Sequence, residues 1–99
     1  MEFAYVVSAG SMSSLAMTVR DIAFPGYHIQ ERDGLNIGGG QYFKIYRGND
    51  VAIVCSADYA NRPSPRFNFL VYLQRPDRNR LASLVAQLES EGFEVRVDV

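Results

Sequence analysis

Two helical stripes, each apolar on one side only, constrain the fold of this sequence more than any other feature. The first stripe carries Leu15, Val19 and Ile22, and the second carries Leu81, Leu84, Val85 and Leu88. An amphipathic helix in a small protein is stable only when its apolar side packs against another layer. Since the chain has 99 residues, we expect one β-sheet with both helices packed on the same side of it.

Six stretches of alternating or continuous apolar residues predict the strands of that sheet. They cover residues 2–8, 27–32, 41–47, 51–57, 67–74 and 93–98. The first stretch is apolar on both sides, which is typical of a central strand. Gly48-Asn49 predicts a tight hairpin between the third and fourth strands, and Asp33-Gly34 predicts a turn after the second.

The resulting order of elements, β-α-β-β-β-β-α-β, predicts an α+β two-layer sandwich. A ferredoxin-like topology with an inserted hairpin suits this order, because each helix then joins two parallel strands by the usual right-handed crossover. We expect a mixed or antiparallel sheet with both helices on one face, and a single α+β domain that spans residues 1–99. Such a domain buries about two-thirds of the surface of its unfolded chain, which is enough for one core.

Composition and charge exclude several classes of function. The net charge of −1 excludes the strong basic field of a general nucleic-acid binder. No apolar run approaches the roughly 20 residues of a membrane-spanning helix, and Met1-Glu2 is unlike the basic start of a secretion signal. A single cysteine is typical of a reducing compartment. We therefore expect a cytoplasmic protein that binds no membrane, and we do not expect nucleic acid as its partner.

Residue types that carry catalysis are sparse. His28 is the only histidine, and Cys55, the only cysteine, lies in an apolar stretch where a thiol is protonated and inert. One histidine and one cysteine cannot supply the four ligands of a structural zinc site. The glycines at 38–40 precede a predicted strand, whereas a phosphate-binding loop precedes a helix. We predict no catalytic residue, no metal and no cofactor, and we expect a binding protein in preference to an enzyme.

Residues 62–80 form the least ordinary part of the sequence. They include five arginines and a single aspartate, interleaved with aromatic residues. Within them, residues 67–72 (FNFLVY) resemble the RNP1 strand of RNA-recognition motif domains, and residues 4–6 (AYV) are similar to the RNP2 strand. That resemblance implies an RNA-binding domain whose bases stack on Tyr5, Phe67, Phe69 and Tyr72.

A second pattern is typical of a protein-binding surface. Tyr42, Lys44 and Tyr46 alternate on one side of a predicted strand, and nine of the ten basic residues are arginine. Tyrosine and arginine combine apolar area with directed hydrogen bonds, and both are enriched at protein–protein contacts. The predicted partner-binding residues are Tyr42, Lys44, Tyr46 and Tyr72 as contact area, with Arg62, Arg66 and Arg75 as charged anchors.

The side of the sheet without helices decides among the possible functions, because it is either solvated or an interface. We predict a small, non-catalytic protein-binding module of the inhibitor, antitoxin or immunity-protein type, which recognises and occludes a partner protein. A homodimeric ferredoxin-like domain that binds a small ligand or has a regulatory role is the second possibility. The third is the RNA-binding domain, or a small enzyme that uses the charges of arginine and tyrosine on a bound anion. The predicted partner is therefore another protein or a second copy of the chain.

Overall fold

The part of the chain that the structure describes contains six strands and two helices in the predicted order. The computed structural model describes residues 3–35, 40–57 and 62–98. The strands are β1 (Phe3–Val7), β2 (His28–Leu35), β3 (Gly40–Arg47), β4 (Asp50–Ser56), β5 (Phe69–Leu73) and β6 (Glu94–Asp98), and the helices are α1 (Met12–Ala23) and α2 (Arg78–Ser90). The glycines at 38 and 39 and the predicted strand start at residue 2 lie outside the described residues.

Short-range signals set the ends of the elements. Ser11 caps α1 and Asp77 caps α2, because each side chain accepts hydrogen bonds from N–H groups of the first helical turn. Gly92 follows α2 with a φ of 96°, and Gly48 opens the hairpin between β3 and β4 with a φ of 59°. Both values lie in the left-handed region that favours glycine. The predicted hairpin at Gly48-Asn49 is confirmed.

The six strands form one antiparallel sheet in the order β2-β3-β4-β5-β1-β6. The predicted α+β sandwich is confirmed. The finer ferredoxin-like topology is not confirmed by this order, because α1 leads from β1 to an edge strand that lies beyond β5, β4 and β3. In a simple ferredoxin-like sheet, each helix crosses over one strand only. The second helix, α2, does so, since it joins β5 to β6 across β1.

Both sides of the sheet carry buried apolar side chains. On one side, strand residues such as Ala4, Val6 and Val71 pack beneath apolar residues of both helices, including Leu15 and Leu84. The opposite side has a separate buried cluster: Tyr5, Val51, Ile53, Cys55, Ala57, Phe67, Leu70 and Tyr72. Among the described residues, no helical residue belongs to this second cluster, so both helices lie on one face as predicted. We name the opposite side the helix-free face.

Two local predictions are corrected by the structure. The dipeptide Asp33-Gly34 is not a turn, because β2 continues to Leu35 and its register against β3 shifts between Arg32 and Leu35. Gly34 has a φ of 99°, which is typical of a β-bulge. The strand predicted over residues 67–74 begins at residue 69, and Phe67 lies before it in the connection from β4.

Candidate functional site

The register of the sheet places four of the predicted contact residues on one face: Tyr42, Lys44, Tyr46 and Tyr72. Lys44 on β3 lies opposite Ile53 on β4, and Ile53 lies opposite Tyr72 on β5. Tyr42 and Tyr46 are each two residues from Lys44 along β3, and side chains two residues apart in a strand share a face. All four predicted residues therefore lie on the helix-free face.

Three of them, Tyr42, Lys44 and Tyr72, line a groove with a volume of about 240 Å³. Its lining residues are Arg32, Tyr42, Lys44, Val51, Ile53, Tyr72 and Gln74. The floor is apolar and nearly buried, since Val51 and Ile53 are 6% and 5% exposed. Tyr42 and Lys44 are half-buried and form part of the rim. We name this feature the tyrosine groove.

Ring contacts position the aromatic side chains at the tyrosine groove. The Tyr46 ring lies beside the groove, with its centroid 5.3 Å from that of His28 and 4.9 Å from the Lys44 ammonium. The Tyr72 ring meets the Phe3 ring edge-on at 5.6 Å. A cation near a ring and an edge-to-face ring pair are both favourable arrangements. Burial raises the pKa of Tyr72, which keeps its hydroxyl protonated and able to donate a hydrogen bond.

At its other end, the helix-free face is covered by the chain itself. Phe67 is fully buried there, and the guanidinium carbons of Arg66 and Arg96 lie 5.2 and 5.7 Å from its ring centroid. The Asn68 side chain accepts a hydrogen bond from the backbone N–H of Ser8 at 3.0 Å and donates one to the backbone carbonyl of Ser8 at 2.7 Å. These contacts fasten residues 66–68, which we name the Phe67 roof, over this end of the sheet.

The three predicted arginine anchors lie in different places. Arg66 forms an ion pair with Glu94 through two hydrogen bonds at the roofed end, and this pairing raises the pKa of Arg66 and lowers that of Glu94. Arg62 is half-buried in the connection between β4 and β5 and has contacts of its own. Arg75 directly follows Gln74, a lining residue of the tyrosine groove. Of the three, Arg75 is the one placed beside the groove.

Arg75 lines a second recess of about 450 Å³, which we name the arginine cleft. Its lining residues are Arg47, Asn49, Asp50, Arg75, Pro76, Asp77 and Arg80. Asp50 accepts hydrogen bonds from Arg80 at 2.8 and 2.9 Å and another from the Tyr27 hydroxyl. The bonds from Arg80 lower the pKa of Asp50, and the hydrogen bond to Asp50 raises the pKa of Tyr27. Both acids of the cleft are thus engaged, since Asp77 caps α2.

The structure does not bring His28 and Cys55 together as a catalytic pair. His28 lies opposite Tyr46, whereas Cys55 lies opposite Tyr42, so the two residues are separated by about 13 Å along the strand direction alone. Burial raises the pKa of the Cys55 thiol to about 12, which leaves it protonated. In the described part of the chain, no three His, Cys, Asp or Glu side chains are grouped to hold a metal ion. Nor is any helix there long and apolar enough to cross a membrane.

The residues that resemble the RNP strands do not form an exposed platform. Phe69 packs into the cluster on the helix side of the sheet. Tyr5, Phe67 and Tyr72 belong to the helix-free face, but all three are buried. Base stacking requires an accessible ring face, so this part of the sheet offers little surface to RNA as folded.

Sequence reasoning missed several residues of the site. Arg32 lines the tyrosine groove because it lies opposite Tyr42, and the alternation of β2, which puts Arg32 on the same side as His28, is a signal that indicates this position. The hydrogen bonds from Tyr27 and Arg80 to Asp50 join residues 23 and 30 positions apart. No local pattern in the sequence marks that network.

Comparison with known proteins leaves the function to be argued from this geometry. No protein-family model, no curated protein and no solved structure matches the chain. The tyrosine groove, with its apolar floor and its rim of tyrosine and basic side chains, is therefore the basis of the functional argument.

Proposed function

We propose that this protein is a small, non-catalytic protein-binding module of the inhibitor, antitoxin or immunity-protein type, which recognises a partner protein through the tyrosine groove. The observation that carries the proposal is the composition of the groove: Val51, Ile53 and the nearly buried Tyr72 form its floor, and the half-buried Tyr42 and Lys44 stand on its rim. A nearly buried apolar centre within an amphipathic rim is typical of an energetic hot spot at a protein–protein interface.

The size of the tyrosine groove favours a side chain of a partner over a free small molecule. Its volume of about 240 Å³ is below the roughly 300–1,000 Å³ of most small-molecule sites. A groove of this size accepts an anchoring side chain, while the surrounding rim adds contact area.

We further propose that β4, β5, β1 and β6, with both helices, form a ferredoxin-like core that the β2–β3 hairpin extends. The adjacency of these four strands and the passage of α2 across β1 support this assignment. The cytoplasm is the compartment that we propose, because the single cysteine is a buried free thiol and such thiols persist under reducing conditions.

The experiment that tests the function is a pull-down from the native host with three tagged proteins: the wild type, the Tyr42→Ala/Tyr46→Ala double variant and a Met17→Ala control. Met17 is 48% exposed on α1, which packs on the other face of the sheet. We expect the wild type and the control to retain the same partner protein in stoichiometric amount, and the double variant to lose it, with similar melting temperatures for all three.

Three outcomes would contradict the proposal. Equal capture by all three proteins would show that the tyrosine groove is not the binding surface. A dimer of the chain that retains no foreign protein would support the homodimeric alternative. Recovery of nuclease-sensitive material in place of a protein would support RNA binding.

A further inference from the structure

The basic side chains differ in whether they form an ion pair. Three of them do: Arg20 with Asp21 and Arg66 with Glu94 away from the tyrosine groove, and Arg80 with Asp50 in the adjoining arginine cleft. Four others line the groove and the adjoining cleft and form no ion pair among the described residues: Arg32, Lys44, Arg47 and Arg75. Arg75 is nevertheless close enough to Asp50 for its charge to help lower the pKa of that carboxyl. Arg96 likewise has no ion pair among the described residues, but its guanidinium lies over the Phe67 ring at the roofed end. Four of the unpaired positive charges therefore lie at the groove and the cleft.

The chain offers these four side chains little counter-charge. No acidic residue is among the described residues that line the tyrosine groove. The arginine cleft contains two acids, but Asp50 is held by Arg80 and Tyr27, and Asp77 caps α2. A half-enclosed surface strengthens the field of unpaired charges, because less water screens them.

The tyrosine groove and the arginine cleft adjoin each other. The backbone N–H of Gln74 donates to the carbonyl of Val51 at 2.9 Å, and both residues line the groove. Their chain neighbours Arg75 and Asp50 line the cleft. Successive residues of a strand point to opposite faces of the sheet, so Asp50 lies on the side of Ala52 and Val54, beneath the helices, and Val51 lies on the helix-free face. The basic strip therefore passes from Arg32 in the groove around the end of β4 and β5 to Arg47 and Arg75 in the cleft, although the whole chain has a net charge of −1.

We propose that the partner segment bound at this strip is acidic, with Asp or Glu carboxylates that pair with Arg32 and Lys44 in the groove and with Arg47 and Arg75 in the cleft. The inference rests on the proposed protein-binding function and specifies the chemistry of the partner. Guanidinium groups bind carboxylates through paired hydrogen bonds. Complementary charge also accelerates encounter and rejects partners of the same sign.

The test measures binding of the intact protein to an octaglutamate peptide with both termini blocked, followed by NMR. Octaglutamine is the neutral control, and a single-stranded thymidylate octamer is the control for a different polyanion. We expect octaglutamate to bind, to shift the amide resonances of Lys44 and Arg75, and to bind more weakly as salt is added. We expect octaglutamine not to bind and the thymidylate octamer to bind more weakly than octaglutamate.

Two double variants with the same change of net charge separate the basic strip from general attraction. Arg32→Gln/Lys44→Gln should weaken octaglutamate binding at least about fivefold. Arg20→Gln/Arg66→Gln removes the same charge from paired arginines outside the strip, and it should leave the affinity nearly unchanged. Equal losses in both double variants, equal binding of octaglutamine, or tighter binding of the thymidylate octamer would overturn the proposal.

The native partner distinguishes failure of this inference from failure of the proposed function. A partner that is lost by Tyr42→Ala/Tyr46→Ala but retained by Arg32→Gln/Lys44→Gln keeps the binding module and rejects an acidic partner segment. A partner that is lost by both double variants supports both proposals. A partner that Tyr42→Ala/Tyr46→Ala retains rejects the groove as a binding site, and the acidic inference with it.

Discussion

The two ends of the helix-free face protect similar apolar strands in different ways. At one end, the chain folds back and Phe67 covers the sheet, with Arg66 neutralised by Glu94. At the other end, Val51 and Ile53 form a floor that side chains alone shield. A roof of tethered backbone is fixed, whereas side chains change rotamer readily when a partner binds. We infer from this difference that a partner can displace the shielding side chains at the tyrosine groove, but not the backbone at the roofed end.

The comparison also separates charges with structural roles from charges available for binding. An ion pair within the chain has already satisfied both of its members, so it contributes little to a new contact. The four unpaired basic residues of the groove and cleft can bind a carboxylate without first breaking an ion pair within the chain. The two ends should therefore respond differently, in stability and in binding, when one of their side chains is removed.

The largest expected effect is on the roof. Phe67→Ala should lower the free energy of unfolding by about 3–5 kcal/mol, because a fully buried ring is removed and a cavity remains. Urea unfolding followed by circular dichroism measures this loss. Tyr46→Ala at the open end is the comparison, and it should lose far less. Similar losses of unfolding free energy in the two variants would show that the tyrosine groove contributes to stability as much as the roof does.

The next effect concerns binding at the open end. Tyr46→Ala should weaken binding to the captured partner by at least about 1 kcal/mol while the thermal midpoint stays nearly unchanged. Tyr46 is half-buried and lies beside His28 and Lys44 at the edge of the groove. Isothermal calorimetry and a thermal melt provide the two quantities. A large loss of stability would instead assign Tyr46 to the core.

A smaller effect, on acid stability, compares Asp50 in the arginine cleft with Glu94 at the roof. Since hydrogen bonding from Arg80 lowers the pKa of Asp50 below its usual 3.8, its contribution is present above that value and is lost as the pH falls through the lower, folded pKa. Asp50→Asn should cost about 1 kcal/mol at neutral pH, after allowance for partial exposure. That deficit should disappear in acid.

Denaturant unfolding over a series of pH values tests this expectation. Glu94→Gln is the matched control, because the Arg66–Glu94 pair is exposed to solvent and surface pairs are screened by water and salt. Its stability should follow that of the wild type at every pH. If the unfolding free energy of Glu94→Gln changed as much as that of Asp50→Asn, the greater exposure of Glu94 would not reduce its contribution to stability.

Local signals explain why most of the fold could be predicted from the sequence. Ser11, Asp77 and Gly48 act on residues within a few positions of themselves. The helix starts and the hairpin turn that they set can therefore be predicted without the tertiary structure. Asp33-Gly34 shows the limit of such signals. The same dipeptide suits a turn or a bulge, and pairing with β3 selects the bulge.

The candidate site was less predictable, because it depends on strand order. Alternation placed Tyr42, Lys44 and Tyr46 on one side, but only the β3-β4-β5 order brings Tyr72 into the same row. The pairing of Arg66 with Glu94 spans 28 positions, so the sequence could not show that this predicted anchor is engaged within the chain. Long-range pairing decides which arginines remain available.

The smallest expected effect is the absence of a reaction at Cys55, which marks the boundary between the two ends because it lies opposite Tyr42 and Leu70. With a pKa of about 12, its thiolate fraction near pH 8 is only about 10⁻⁴. Iodoacetamide should therefore leave the native protein unmodified while it labels the urea-unfolded chain, as mass spectrometry would show. Phe67→Ala should admit the reagent by opening the roof, and Tyr46→Ala should not. Labelling of the wild type as fast as that of Phe67→Ala would mean that the roof does not seal this boundary.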